Sequence, residues 1–275
     1  MTPSGIVTLL TDFGLTDPYV GVMKGAILAR FRQATLVDLT HDIPPQDIAG
    51  AGFWIERSYR WFPEGTVHLV VVDPGVGGGR EALALEVDKH LFVGPDNGVF
   101  TAVLGHPGPK RAHRIEAERL GIERLSATFH GRDLFGPAAA VLAGSSAGGL
   151  ELLGPSREPP AAFVREEAPA STRDGVHGRI HGSIHGSTSG SVVVTDHFGN
   201  LITDIPSAEL PAEGPWRVRL GSRSLAVVRT YADAEPGQCV ALIGSFGTLE
   251  LAARNASAAE LLGAGPGDLV SIEAG

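Results

Sequence analysis

Cysteine is almost missing: Cys239 is the only one in 275 residues, which excludes an internal disulfide framework and fits a reducing compartment. Its apolar neighbours Val240, Ala241 and Leu242 place it on a core strand. No apolar run is long enough to span a bilayer. The opening stretch, MTPSGIVTLLTDFG, lacks the basic region of a secretory signal and meets Asp12 too early for an apolar one, so a cytoplasmic protein is expected. A cationic surplus is missing too. The 22 Lys and Arg face 31 Asp and Glu, and the cations are scattered singly, which argues against nucleic acid and anionic membranes as partners. What is present, 43% hydrophobic and 19% charged residues, suffices for one or two ordinary globular cores.

Taken in order, the chain alternates. Ile6 to Leu10 read as a short buried strand ending in Thr11-Asp12-Phe13-Gly14. A helix is expected next, with Asp17 as its N-cap, Pro18 in its first turn and Val20, Met23, Ile27 and Leu28 on one face. Leu36 to Leu39 form a second strand, followed by Thr40-His41-Asp42-Ile43-Pro44-Pro45 and a helix over Gln46 to Tyr59. A third strand follows from Val67. The βαβαβ order predicts a mostly parallel sheet with strand ends converging on one edge.

The third strand carries the strongest local signal, VHLVVVDPGVGGGR over Val67 to Arg80. A β-branched run stops at Asp73-Pro74-Gly75, putting a carboxylate at a strand's carboxyl end, where open α/β sheets bind ligands. Gly75, Gly77, Gly78 and Gly79 let the backbone come close to a ligand, and Arg80 adds a fixed charge seven residues after Asp73. The pattern GxxxxGK[ST] is missing, so this is no Walker-type phosphate loop. Taken alone, Asp73 and Arg80 also fit a turn-capping carboxylate and a surface ion pair.

Two strands, Ala82 to Val87 and His90 to Val93, follow, the second running into the turn Gly94-Pro95-Asp96-Asn97-Gly98. Thr128-Phe129-His130-Gly131-Arg132-Asp133 precedes a small-residue helix, Leu134 to Leu142. Residues 156–190 are rich in Pro, Glu, Ser, Gly and His and read as a linker between an α/β domain, 1–155, and a β-rich domain, 191–275, of barrel-like character. In that linker His177, His181 and His185 recur every four residues, each followed by glycine and with no carboxylate or cysteine to complete a metal cage, which favours a solvated segment. Beyond it, short strands are expected at Ser191 to Thr195, Trp216 to Leu220, Leu225 to Val228, Cys239 to Ile243 and Thr248 to Ala252. A short helix ends near Gly263.

Seven motifs in this order, TDFG at Thr11, LTHDIPPQDI at Leu39, VVDPGVG at Val71, GPDNG at Gly94, TFHGRDLFGPAAA at Thr128, DHFGN at Asp196 and SFGTLELAARN at Ser245, resemble the S-adenosylmethionine (SAM) hydrolase family. Its members are also called SAM hydroxide adenosyltransferases and are related to fluorinase and chlorinase. The resemblance spans nearly everything outside the linker. It implies a homotrimer with active sites between the α/β domain of one subunit and the β-rich domain of the next. It also implies attack of water on C5′ of the ribose, giving adenosine and methionine with no metal and no cofactor, SAM being the substrate.

Carried over residue by residue, the resemblance implies that Asp73, Arg80 and His130 handle the water; chemically, Asp73 and neutral His130 can accept its hydrogen bonds, while Arg80 can hold Asp73 ionised or bind a hydroxide-like oxygen. Asp12 matches the carboxylate that takes the ribose hydroxyls, Asp196 the group on the methionine ammonium, Asn200 and the backbone of Ala256, after Asn255, the adenine contacts. Ser245 matches a contact to the methionine carboxylate, and Phe129 and Phe198 are placed to pack on the ligand. Phe246 stands where the halogenases carry an arginine beside that carboxylate, so Ser245 and backbone amides are left to hold it. Three other readings fit parts of the pattern: halide adenosyl transfer, a SAM or adenosine sensor, and a metal-dependent phosphohydrolase using Asp12, His41, Asp42, Asp73 and His130. For His41 and Asp42 the simpler expectation is a buried structural pair, and for Asp96 and Asn97 a turn.

Overall fold

The computed structural model describes residues 1–122, 125–145, 149–161, 188–211 and 216–274. The expectation for the linker histidines, His177, His181 and His185, lies outside them. The chain divides into two compact units, Met1–Val164 and Arg165–Gly275.

The first unit is built on a seven-stranded sheet. Its strands are β1 (Ile6–Thr11), β2 (Thr35–Thr40), β3 (Val67–Val71), β4 (Ala82–Val87), β5 (His90–Pro95), β6 (Lys110–Arg114) and β7 (Ser156–Arg157), in the spatial order β2-β1-β3-β5-β4-β6-β7. Neighbours β2, β1, β3 and β5 pair in parallel, and β4, β6 and β7 each pair antiparallel. Five of the seven strands, β6 included, therefore run the same way.

β1, β3 and β5 are predominantly apolar along their length because both sheet faces are covered there. On one face Leu9, Leu69 and Val71 pack with Met23 and Ile27 of α1 (Tyr19–Arg30) and Ala138 and Leu142 of α4 (Gly136–Gly144). On the other, Leu10, Val70 and Val72 pack with Ala51 and Ile55 of α2 (Ile48–Ser58) and Val103 of α3 (Thr101–Leu104). Successive residues alternate between these cores, as the pleat requires.

Three helix starts differ from expectation. α1 begins at Tyr19, with Pro18 at the cap position and no side-chain cap; Asp17 does not fill that role. α2 begins at Ile48 because Gln46 adopts a left-handed backbone, φ +68°, and Asp47 is the cap, its Oδ1 accepting from the Gly50 amide at 2.8 Å. Ahead of α4, Gly131–Phe135 form a π-turn in which the Gly136 amide bonds to the Gly131 carbonyl five residues back.

The second unit is a closed barrel. Strands β8 (Ser189–Thr195), β9 (Leu201–Pro206), β10 (Trp216–Leu220), β11 (Arg223–Val227), β12 (Cys239–Ile243), β13 (Thr248–Ala253) and β14 (Leu269–Ala274) follow the order β10-β11-β12-β13-β9-β8-β14, and β14 closes on β10. Leu201, Val218, Ala241, Leu249, Leu251 and Ile272 fill its interior, and closure leaves the sheet without an edge. Helix α5 (Ala258–Leu262) is capped by Ser257, whose Oγ accepts from the Glu260 amide, and ends at left-handed Gly263.

Candidate active site

In the first unit, the loops leaving the carboxyl ends of β1 and β3 meet the connection that enters α2 and the segment before α4. They enclose a cleft of about 360 Å³ lined by, among others, Asp12, Gln46, Asp73, Phe129 and His130. Adjacent parallel strands thus place Asp12 and Asp73 side by side. This is the crevice position that the βαβαβ reading predicts.

At the cleft, Asp73 pairs with Arg80, and their side chains are only 5% and 11% exposed. Arg80 Nε donates to Asp73 Oδ1 at 3.0 Å and Oδ2 at 3.1 Å, and a terminal guanidinium nitrogen makes a second contact with Oδ2. A surface ion pair, the plainer reading of these two residues, is therefore not what the fold builds. The same terminal nitrogen donates to His130 Nδ1 at 2.7 Å, while the guanidinium lies 5.2 Å from the centre of the Phe135 ring. Asp73, Arg80 and His130, distant in sequence, form one contiguous chain.

That chain fixes the imidazole. Arginine has no acceptor, so His130 Nδ1 must accept, and the neutral ring carries its proton on Nε2. Burial, with Arg80 second, holds the His130 pKa below its ordinary value and so favours this neutral form. The expectation that His130 accepts a hydrogen bond from water is accordingly revised: its accepting nitrogen is spent on Arg80, and Nε2–H is a donor. Asp73 remains the acceptor of the set.

Local chemistry explains how the pieces are held. Asn97 Nδ2 donates to the Val72 carbonyl at 2.8 Å, pinning the end of the strand next to Asp73; the GPDNG turn contributes this anchor as well as a bend. Gly77 has φ +76°, and a Cβ there would collide with the Ala127 carbonyl oxygen, so the glycine loop lies directly on the segment leading to His130. That segment is braced by Asp133, which accepts from the Ser126 amide at 2.9 Å and pairs with Arg132. Arg132 and this amide keep the Asp133 pKa below its usual range.

Asp12 Oδ2 accepts from the Gln46 amide at 2.9 Å, which ties the left-handed Gln46 to the carboxylate it faces. Phe129 packs edge-on against Phe13 and Tyr19, with centroids 5.9 and 5.3 Å away, and forms one wall. Phe13, Pro45 and Gln46 line the cleft although their sequence context assigns them no role; the only signal is their place beside Asp12 and the Pro-Pro turn.

His41 is not paired with Asp42. It is buried, its Nδ1 2.8 Å from Thr11 Oγ1 and its Nε2 3.1 Å from Asp38 Oδ1, and it braces the sheet edge. Among the described residues no three His, Cys, Asp or Glu side chains are grouped to hold a metal, so the phosphohydrolase ligand set is not assembled.

The expected binding residues of the second unit lie on its turns. Asp196 Oδ1 accepts from the amides of Phe198 and Asn200, each at 2.9 Å, and Oδ2 from Asn200 Nδ2 at 3.0 Å. Asn200 is thus engaged with Asp196, and the turn thrusts Phe198 outward, 76% exposed. Gly199, φ +81°, packs against Ser257, and its carbonyl accepts from Ala259, fastening this turn to α5. Ser245 is exposed in the turn Gly244–Gly247; Asn255 is left-handed at φ +57° and delivers Ala256, whose amide bonds back to Ala253.

Comparison with known proteins gives consistent matches. Residues 7–151 match the SAM hydroxide adenosyltransferase N-terminal domain and residues 190–271 its C-terminal domain. A protein named (R)-S-adenosyl-L-methionine hydrolase from Thermus thermophilus is 39% identical over 264 residues, covering 94% of this chain and 95% of its own. A fluorinase from Nocardia brasiliensis is more distant, 27% identical with 92% of each chain covered. A crystal structure of an uncharacterized conserved protein from Thermotoga maritima superposes with a TM-score of 0.84 at 32% identity, covering 97% of this chain and 99% of that one.

Proposed function

The chain belongs to the SAM hydroxide adenosyltransferase family, and from that premise we propose that it hydrolyses S-adenosyl-L-methionine to adenosine and L-methionine. The observation that carries this reading at the level of residues is the Asp73–Arg80–His130 chain, of which Asp73 and His130 line the cleft and Arg80 joins them. A water there donates to Asp73 and receives the Nε2–H of His130, so it is held with one lone pair free. Arg80 keeps Asp73 oriented and His130 in one tautomer. The water oxygen forms a bond to C5′ while the C5′–S bond breaks; its electron pair stays on sulfur, and the water's proton passes to Asp73 and on to solvent. The sulfonium loses its charge as the neutral thioether leaves. A partly desolvated cleft favours such charge neutralisation, and positioning supplies most of the rate.

The roles of the remaining residues belong to the same proposal. Asp12 takes the ribose hydroxyls, with Phe129 as the wall beside them. Asp196 and Ser245 take the methionyl end, and Asn200, Ala256 and Phe198 the adenine. We also propose a homotrimer in which these barrel residues complete the cleft of a neighbouring subunit, and a reaction that needs no metal. Halide transfer is disfavoured by the Asp73 carboxylate, which repels an anion at the attacking position.

The test is to incubate the EDTA-treated protein with SAM, the (R) and (S) sulfonium epimers offered separately because the Thermus relative's name specifies (R). Adenosine and methionine are then followed by chromatography. Equal amounts of both, with ¹⁸O from labelled water in the adenosine 5′-hydroxyl and near-complete loss in Asp73→Asn and His130→Ala, are expected. Products that require added metal, or 5′-chloroadenosine in chloride, overturn it. Mixing inactive Asp73→Asn and Asp196→Ala chains restores part of the activity if sites are shared between subunits; no recovery after verified subunit exchange rejects that arrangement.

A further inference from the structure

Glu250 is a carboxyl set into an apolar strand. Its neighbours in β13, Leu249 and Leu251, fill the barrel interior, while Glu250 lies on the opposite face and is nevertheless 5% exposed. Its cross-strand neighbour Leu242 belongs to a small apolar cluster with Val240, Ala252 and Ala234. Such burial of an acid costs stability, so its presence here calls for a reason outside packing.

Its surroundings supply one. The Tyr231 hydroxyl donates to Glu250 Oε1 at 2.6 Å. Oε2 presses against Gly244, where a Cβ would collide with it, so the carboxyl lies directly against the turn that presents Ser245. The other charge acting on both Glu250 and Tyr231 is Asp196. Burial first, and Asp196 with it, push the Glu250 carboxyl above its ordinary range, against the pull of the Tyr231 bond; among the described residues no cation is found with these influences. One buried carboxyl therefore touches the turn assigned to the methionine carboxylate and feels the group assigned to the methionine ammonium.

We infer that Glu250, clamped by Tyr231, is a positioning residue for the amino-acid end of the substrate, seating the Ser245 turn and adding negative potential where Asp196 receives the ammonium. This rests on the SAM reading of the site. An arriving ammonium relieves the repulsion between the two carboxyls; a ligand without that group gains nothing from Glu250. The consequence is selectivity for the cationic amino-acid end, separate from recognition of the nucleoside.

The experiment measures calorimetric Kd values for SAM and for adenosine, which lacks the amino-acid end, on wild type, Glu250→Gln and Tyr231→Phe, with turnover and melting temperature on the same samples. Glu250→Gln keeps the shape and an acceptor for Tyr231 while removing the charge. It is expected to weaken SAM binding about three- to tenfold, the scale of one polar interaction, while adenosine binding changes less than about twofold. Its melting temperature should hold or rise, since a buried charge is removed. Tyr231→Phe should shift the SAM Kd in the same direction. Unchanged SAM binding in Glu250→Gln, or SAM and adenosine weakening together with a fall in melting temperature, overturns the inference. Wild type without turnover defeats the hydrolase reading separately, and the ratio of the two Kd values still decides the role of Glu250.

Discussion

Gly77→Ala tests how the glycine loop and the His130 segment depend on each other. Two costs add at this position. Alanine at φ +76° meets the left-handed penalty of about 1–2 kcal/mol, and its Cβ collides with the Ala127 carbonyl, a backbone atom that cannot rotate away, for an overpacking cost of about 1–3 kcal/mol. The total, roughly 2–5 kcal/mol, corresponds to a fall of about 4–20 °C in the transition of a unit this size. Activity should fall further than stability explains, because either Asp73 or His130 must move, and a shift of about 1 Å can cost on the order of a hundredfold in rate. Gly79→Ala is the control: an alanine methyl there would have no neighbouring atom within 4 Å, and the Gly79 φ is not in the left-handed region, so a change within about 0.5 kcal/mol is expected. Scanning calorimetry and adenosine release on both variants give the answer. If the two behave alike, the close approach of Gly77 to Ala127 does not hold the site together.

Three further outcomes follow from the same geometry. Burial holds the His68 pKa well below 6.5 and that of His90 below it, so the unfolded chain binds protons that the fold does not: stability is complete above about pH 6.5 and is lost as pH falls below it, by about 1.4 kcal/mol per pH unit for His68. Urea titrations between pH 7.5 and 5.5 should show this slope, and His68→Phe, which removes the bonds to Thr8 and His90, should be less stable at pH 7.5 but less pH-sensitive; equal slopes would refute the account. For catalysis, neutral His130 accepting from Arg80 requires that kcat/KM hold its plateau to below pH 6.5 and fall on further acidification; an acid limb centred above 7 would contradict the depressed imidazole. Asn97→Ala loses the bond to the Val72 carbonyl and should cost about 0.5–1.5 kcal/mol while lowering kcat more than it alters KM; a change in KM alone would show that the strand end beside Asp73 does not need this anchor.

The parts of this fold that are legible in the sequence are those where burial dictates the residue pattern. β1, β3 and β5 are covered on both faces and read as apolar runs; Asp12 and Asp73 at the ends of β1 and β3 announce the cleft. β6, Lys-Arg-Ala-His-Arg, carries too few apolar residues to signal a strand, because its outward side chains are exposed, and two-residue β7 is too short for any periodicity. β14 carries a signal in Leu269, Val270 and Ile272, but so short an apolar stretch after a glycine-rich turn does not establish a strand period. The start of α2 falls two residues later than expected because a left-handed glutamine leaves no mark in composition. At the site, residue types can be named from sequence, whereas the His130 tautomer and the anchoring by Asn97 depend on which atoms meet. Glu250 looks like one polar position in a strand; only its burial under Tyr231 singles it out.

The π-turn at Gly131–Phe135 holds one residue more than an α-helix needs over the same stretch. Deleting a single residue there would extend α4 with a regular hydrogen-bond ladder, and it would swing His130 by about 100° around the helix axis, away from Arg80. A screen for thermal tolerance would keep such a deletion, and a screen for turnover would discard it. Chain length at this point, more than the identity of any one side chain, is where selection for a sturdier molecule and selection for a working one would pull in opposite directions.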